Sequence, residues 1–251
     1  LKELREMLPV ACHLFDAYWD MSMAMKDRIG TWGDDEPAYY ISSTASIKPR
    51  LNSGHMRVLS PNGEEKEHFS PEEFEKRIEF TRTEYSYAGQ TSYQGQVLRA
   101  NSLARINITR AFQTPLADSY LERFRAYFGS PAHALLCFDL CRGIELVYAM
   151  EAAIELLEDD LESGETEVGY TPKDGIGYGL VEAPRGPLIH RYTVENGLIS
   201  DAEFIIPTVH NMKAIERALM VAGNRYIRPG SINLELEKAV GRVARAFDPC
   251  I

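Results

Sequence analysis

The chain has 251 residues, 45% hydrophobic and 25% charged, enough for one large globular domain or two small ones with a real core. Its 27 basic and 37 acidic residues leave a formal charge of −10, which opposes attachment to nucleic-acid phosphates or anionic lipid, so neither nucleic acid nor membrane is expected as a partner. No apolar run reaches the roughly 18 residues of a membrane span, no signal-peptide pattern opens the chain, and four scattered cysteines (Cys12, Cys137, Cys141, Cys250) cannot frame a disulfide scaffold. Reduced thiols and a cytoplasmic location are the expectation.

From Leu1 to about Ile29 apolar residues recur at helical spacing (Leu4, Leu8, Ala11, Leu14, Phe15, Tyr18, Met25), which predicts a long amphipathic helix with Pro9 marking a kink. Beginning inside a helical pattern without methionine suggests that residue 1 is not the natural start. Met21, Met23 and Met25 alternate and so do not share a helix face, which favours packing over a soft-metal site. After a break at Gly30 to Pro37, short β-like runs (Tyr39 to Ile41, His55 to Leu59) and a Pro61-Asn62-Gly63 turn predict a hairpin-rich excursion. Ser70-Pro71-Glu72-Glu73 carries an N-cap, a first-turn proline and a capping-box glutamate, so a helix is expected to about Glu84. Tyr85 to Gln96, rich in Tyr, Ser, Gly and Gln without a sustained period, is expected to be an ordered surface loop.

Thr114-Pro115 opens a predicted helix to Phe128, and Ser130-Pro131 repeats the device before the longest helical pattern, Ala132 to Leu157. Cys137 and Cys141 lie four apart there, but without a second pair at zinc spacing they are expected as small core residues. Arg142 and Glu145 are placed for a local ion pair. Beyond the acidic helix end, Glu158 to Glu162, the chain turns β-rich. Gly175-Ile176-Gly177-Tyr178-Gly179 leads into a strand and lacks the lysine and hydroxyl residue of a phosphate-cradling loop. Strand-like runs Leu188 to Val194 and Leu198 to Ile206 flank Asn196-Gly197, a strong hairpin signal. Val181 to Gly186 sets Glu182 and Arg185 at a turn, where Pro184 stiffens one side and Gly186 frees the other; it is either a plain surface turn or a corner that aims a cation. His210 and Asn211 start another helix to about Asn224. The last runs from Leu234 to Phe247, with Leu236, Val240 and Val243 inward, into Asp248-Pro249-Cys250, where one thiol cannot hold a metal alone. The predicted fold class is α+β, mainly α: a long-helix bundle with small antiparallel β-hairpin regions, in a single domain spanning 1–251.

In combination these segments resemble the C-terminal part of the large subunit of nickel-iron hydrogenases. The likeness rests on Glu182-Ala183-Pro184-Arg185-Gly186 with Leu188 and His190, the Asn196-Gly197 hairpin, Ile206-Pro207-Thr208 with Asn211, and Asp248-Pro249-Cys250, supported by Leu103-Ala104-Arg105-Ile106-Asn107, the Glu145 to Leu157 helix and the hairpin-rich part near Arg57. The resemblance implies a parent that splits H2 heterolytically at a nickel and an iron bridged by cysteine thiolates, with cyanide and carbon monoxide on the iron. The partners it implies are an iron-sulfur small subunit, together with further electron-transfer subunits. Carried over by motif, Cys250 would be a terminal nickel ligand and Arg185 would lie over the open coordination position. Pro184, Pro207 and Thr208 would line the diatomic-ligand pocket with Thr208 bonding a cyanide, Asp248 would pair with Arg185, and His190 would give support.

The sequence departs from that pattern in several places. It has no Arg-x-Cys-Gly-x-Cys motif, it ends one residue after Cys250, short of a second cysteine and the family's C-terminal histidine, and it has Asn101-Ser102 where Gly-Pro usually precedes Leu-Ala-Arg. It can supply one of four nickel ligands, so the chain alone is expected to hold no nickel-iron site and to be inactive. The alternative is a non-catalytic, hydrogenase-like scaffold or interaction subunit of a larger redox complex. The surrounding gene sequence discriminates the two: a Cys-Gly-x-Cys upstream and a cysteine three positions after Cys250 favour the enzyme.

Overall fold

In a computed structural model, residues 1–49, 54–84, 86–158, 167, 169–231 and 233–250 are described. Helix α1 (Lys2–Ile29) runs unbroken through Pro9, which sits at the start of its third turn. It stops where Gly30 takes a left-handed conformation (φ 68°) and donates its N–H to the Lys26 carbonyl. The buried face is Ala11, Phe15, Trp19 and Ser22, whereas Leu14 is 61% exposed. The expected stripe holds at Ala11 and Phe15, which are buried, and at Leu8 and Tyr18, which pack on the core, and fails only at Leu14; Phe15 lies against Gly143 of helix α5 (Phe138–Glu158), where a β-carbon would stand 2.3 Å from the ring.

Strands β1 (Tyr39–Ser42), β2 (Met56–Leu59) and β3 (Glu65–Phe69) form the expected antiparallel excursion, but they are half of a larger sheet. The Ser70 capping box is present, yet the turn Pro71–Glu73 and helix α2 (Phe74–Arg77) end at Ile78, which is extended and buried. The segments expected to finish that helix and to form a surface loop are instead β4 (Glu79–Thr83), β5 (Ser86–Tyr93) and β6 (Gln96–Arg99). Their pairing completes a six-stranded sheet in the order β3-β2-β1-β6-β5-β4, with β1 and β6 parallel. Hydrophobic alternation failed to reveal β5 because its buried residues include Thr91 and Ser92, and Gly89 is covered by the Phe80 ring.

Helix α3 (Asn101–Ile108) is almost entirely buried, and α4 (Pro115–Phe128) starts at its proline and ends at Phe128, as expected. Helix α5 does not open at Ser130-Pro131 as expected: residues 131–134 are not helical, and α5 begins at Phe138 after a 3-10 turn, Leu135–Cys137, while the acidic residues 159–162 expected at its end lie outside the described residues. Cys137 and Cys141 are fully buried core residues, as expected. Arg142 does not pair with Glu145: it bonds Asp139, while Glu145 is taken by Arg105 of α3, whose burial makes it the more demanding partner.

Strands β7 (Gly175–Ala183), β8 (Gly186–Glu195) and β9 (Leu198–Ile205) form a separate antiparallel sheet. Asn196 and Gly197 turn β8 into β9 with positive φ at both positions (53° and 74°), the geometry a two-residue hairpin requires. A 3-10 turn, Pro207–Asn211, leads into α6 (Met212–Tyr226), and α7 (Leu234–Phe247) follows, with the Asn233 side chain accepting from the Leu236 N–H at its start. In α7, Ala239, Val243, Ala246 and Phe247 are buried but Val240 is exposed. The fold class is α+β, mainly α, with a larger β part than hairpins alone. One apolar core lies among the helices and a second between the six-stranded sheet and β8.

Candidate functional site

Pro184 and Arg185 are the two-residue connection between paired Ala183 and Gly186, so the start of β8 fixes the root of the arginine. Gly186 adopts φ 134°, and a β-carbon there would lie 2.6 Å from the Ala100 side chain. Only glycine lets the turn approach the head of α3 this closely. Pro207 opens the next turn, which carries Thr208 and Asn211, both buried. Helix α7 delivers the third segment: Asp248 takes a left-handed conformation (φ 48°, ψ 56°) and donates its N–H to the Ala244 carbonyl, so Pro249 and Cys250 leave the helix sharply.

The three segments meet at Arg185. Its Nη2 donates to Asp248 Oδ2 at 2.7 Å, its Nε donates to the Asp248 carbonyl, and its Nη1 lies 2.9 Å from the Cys250 sulfur. The Cys250 N–H donates to Thr208 Oγ1 at 3.0 Å, which leaves the threonine hydroxyl hydrogen free to serve another acceptor. Arg185, Asp248, Cys250 and Thr208 are thus in direct contact. Pro184 adjoins them through the turn, and Pro207 through its place beside Thr208 and Gly186. His190 is not brought in: five residues along β8, its Nδ1 lies 3.1 Å from the Tyr192 hydroxyl and its ring packs on Phe204. The Arg185–Asp248 pair is partly exposed (28% and 56%) and so contributes at most about 1 kcal/mol to stability. What it supplies is a fixed cation beside an exposed thiol.

Beneath the turn lies a network that sequence patterning did not reveal. Arg105 spends its guanidinium on both Glu145 oxygens (2.5 and 2.9 Å), Glu182 Oε1 (3.1 Å) and the Ala183 and Pro184 carbonyls (3.2 and 3.0 Å). Glu182 also accepts from the Ser43 N–H and hydroxyl. Burial pushes Glu182 up from the usual carboxylate range, with Arg105 and Ser43 opposing. Burial would lower Arg105, but Glu145 and then Glu182 outweigh it and hold it above its ordinary value. The sequence clue was a charged residue inside the otherwise apolar Leu103 to Ile106 run. An open cavity of about 280 Å³ borders this network, walled by Pro49, Phe112, Tyr148 and Pro184. Among the described residues no group of three or more His, Cys, Asp or Glu is arranged to hold a metal ion, and no helix is long and apolar enough to cross a membrane.

Known proteins resemble the chain in sequence and in fold. The chain is 35% identical over 229 residues to a subunit of the F420-non-reducing hydrogenase vhu of Methanocaldococcus jannaschii, covering 88% of this chain and 54% of that one. It is 33% identical over 191 residues to the beta subunit of the NAD-reducing hydrogenase HoxS of Cupriavidus necator, covering 74% and 38%. The fold matches a crystal structure of an NAD+-reducing [NiFe]-hydrogenase in the H2-reduced state with a TM-score of 0.82 at 24% identity, over 99% of this chain and 58% of that one. The chain therefore spans about half the length of the relatives it matches. The family model described as nickel-dependent hydrogenase matches residues 46–251, and the chain belongs to that family.

Proposed function

We propose that this chain is the C-terminal portion of a nickel-iron hydrogenase large subunit, in which it forms one wall of the metal pocket. The observation that carries this reading is the placement of the Arg185 guanidinium against both Asp248 and the Cys250 sulfur. In the parent, Cys250 would be a nickel ligand, Thr208 would use its free hydroxyl hydrogen on an iron-bound cyanide, and Pro184 and Pro207 would exclude water beside it. The described residues do not by themselves fit the whole group: Cys250 is the only cysteine at the site, while Cys137 and Cys141 are sealed in the core, the former with its sulfur on the Ala134 carbonyl. This chain alone is accordingly inactive, and no step of H2 cleavage is assigned to it. The group would supply the redox and Lewis-acid chemistry of a parent that converts H2 reversibly to protons and electrons.

The remaining ligands would come from other parts of the parent, and electrons would leave through an iron-sulfur small subunit, then through further electron-transfer subunits. The acidic charge and reduced cysteines support a cytoplasmic assembly. A purely structural role for the chain would leave the exposed Cys250–Arg185 contact without a use.

The test is anaerobic maturation of the parent with nickel, followed by metal analysis and H2-uptake assay. The parent is expected to hold nickel, Cys250→Ala to lose it, and Arg185→Lys to keep it while turnover falls on the order of 100-fold. A parent that takes up no nickel under these conditions defeats the reading.

A further inference from the structure

The turn bearing Arg185 and the tail bearing Asp248 and Cys250 are 63 or more positions apart in the chain, and both are tied to the start of α3, at Ala100 and Asn101. On the turn side, the Asn211 amide donates to the Arg185 carbonyl at 3.1 Å while its oxygen accepts the Ala100 N–H at 2.8 Å. On the tail side, Asn101 Nδ2 donates to the Phe247 carbonyl at 3.0 Å, and Arg142 Nη2 donates to the Ala246 carbonyl at 2.7 Å. These are the last two carbonyls before Asp248, at the helix end where intrahelical partners run out. The Asn101 oxygen accepts from the Ser102 N–H at 2.6 Å and lies 3.4 Å from Arg142 Nη2, so the asparagine and the arginine hold one another. Asn101 is fully buried and has φ 78°, a left-handed conformation uncommon outside glycine. A buried side chain committed in this way at a strained position indicates a constraint beyond filling space.

We infer that Asn101 is a positioning residue, which with Arg142 holds the end of α7 so that Asp248 and Cys250 meet Arg185 in register. This rests on the proposed role of the Arg185 site. Asn101 does not touch Arg185, Asp248 or Cys250 through any of these bonds; it acts through the Phe247 carbonyl.

The metal-free 251-residue chain tests it by nuclear magnetic resonance on the Arg185 Nε–H, assigned by its loss in Arg185→Lys. In the native chain that proton is held by the Asp248 carbonyl and is expected to exchange slowly. Asn101→Gly keeps the left-handed backbone and removes only the side chain. It is expected to move the resonance toward that of a free arginine and to speed exchange about tenfold, as the loss of one hydrogen bond would. Asn233→Ala, which removes the side-chain bond at the opposite end of α7, is expected to lower stability and leave the Arg185 signal in place. If Asn101→Gly does not fold, Arg142→Lys carries the same readout, because it removes the planar donor from the Ala246 carbonyl. An Arg185 signal unchanged in the folded variant, or disturbed equally by Asn233→Ala, overturns the inference. Because no metal enters the measurement, its failure is separate from a failure of nickel binding in the parent.

Discussion

His210 illustrates how a single buried residue can couple the site's surroundings to pH. It is fully buried against Phe74, its Nε2 lies 3.2 Å from the Pro187 carbonyl, and Thr91 approaches Nδ1. Burial lowers its pKa from 6.5 to about 4, opposed only by the Pro187 bond. The folded state therefore keeps the imidazole neutral while the unfolded chain takes a proton below pH 6.5, so stability is present above that pH and is lost as pH falls toward 4. Two and a half units correspond to at most about 3 kcal/mol. Denaturant titrations at pH 7 and pH 4.5 should show the wild type losing stability relative to His210→Gln, which cannot titrate; parallel losses in the two proteins would refute this. The carboxylates and the guanidinium around Arg105 follow a different logic. All are paired, and removing one partner alone would leave a buried charge, which costs about 3–5 kcal/mol.

At the level of elements, legibility tracked how local the determining physics is. Helix α4 was readable to both ends because Pro115 acts on its own backbone at the start and the apolar spacing runs out at Phe128. The Asn196-Gly197 hairpin was readable for the same reason. Strands β4 and β5 were not, since Glu79 to Thr83 is largely exposed and β5 buries hydroxyls rather than alkyl groups; their strand character comes from pairing with each other and with β6. On α1 only Leu14 departs from the inward stripe that the spacing predicts: both sides of the helix carry apolar residues, and the contact of Phe15 with Gly143 helps decide which one goes in. Gly143→Ala puts a methyl group into that ring, so it should destabilise the chain by about 1–3 kcal/mol in urea unfolding, and a variant as stable as the wild type would show that α1 and α5 are not held there.

Across the whole molecule, the side of α1 not used by the core shows Met7, Val10, Leu14 and Met21 to solvent, at spacings of three, four and seven that keep them on one stripe. Exposed apolar continuity of this kind favours association. Light scattering at rising concentration should report self-association of the 251-residue chain, and Val10→Glu with Leu14→Glu should suppress it; a native chain that stays monomeric throughout would count against this prediction. The same scale decides the site. The sequence by itself determined the end of α1 at Gly30, the start of α4 at Pro115, the hairpin turn, and the motifs around Arg185, Thr208 and Cys250, because these depend on backbone conformation or on the identity of adjacent residues. Only the tertiary structure brought Arg185 onto Asp248 and Cys250, placed His190 apart from them, and revealed Arg105 and Asn101 as the supports beneath. Those are contacts between segments up to 146 positions apart, and their energies depend on burial and geometry that no local pattern carries.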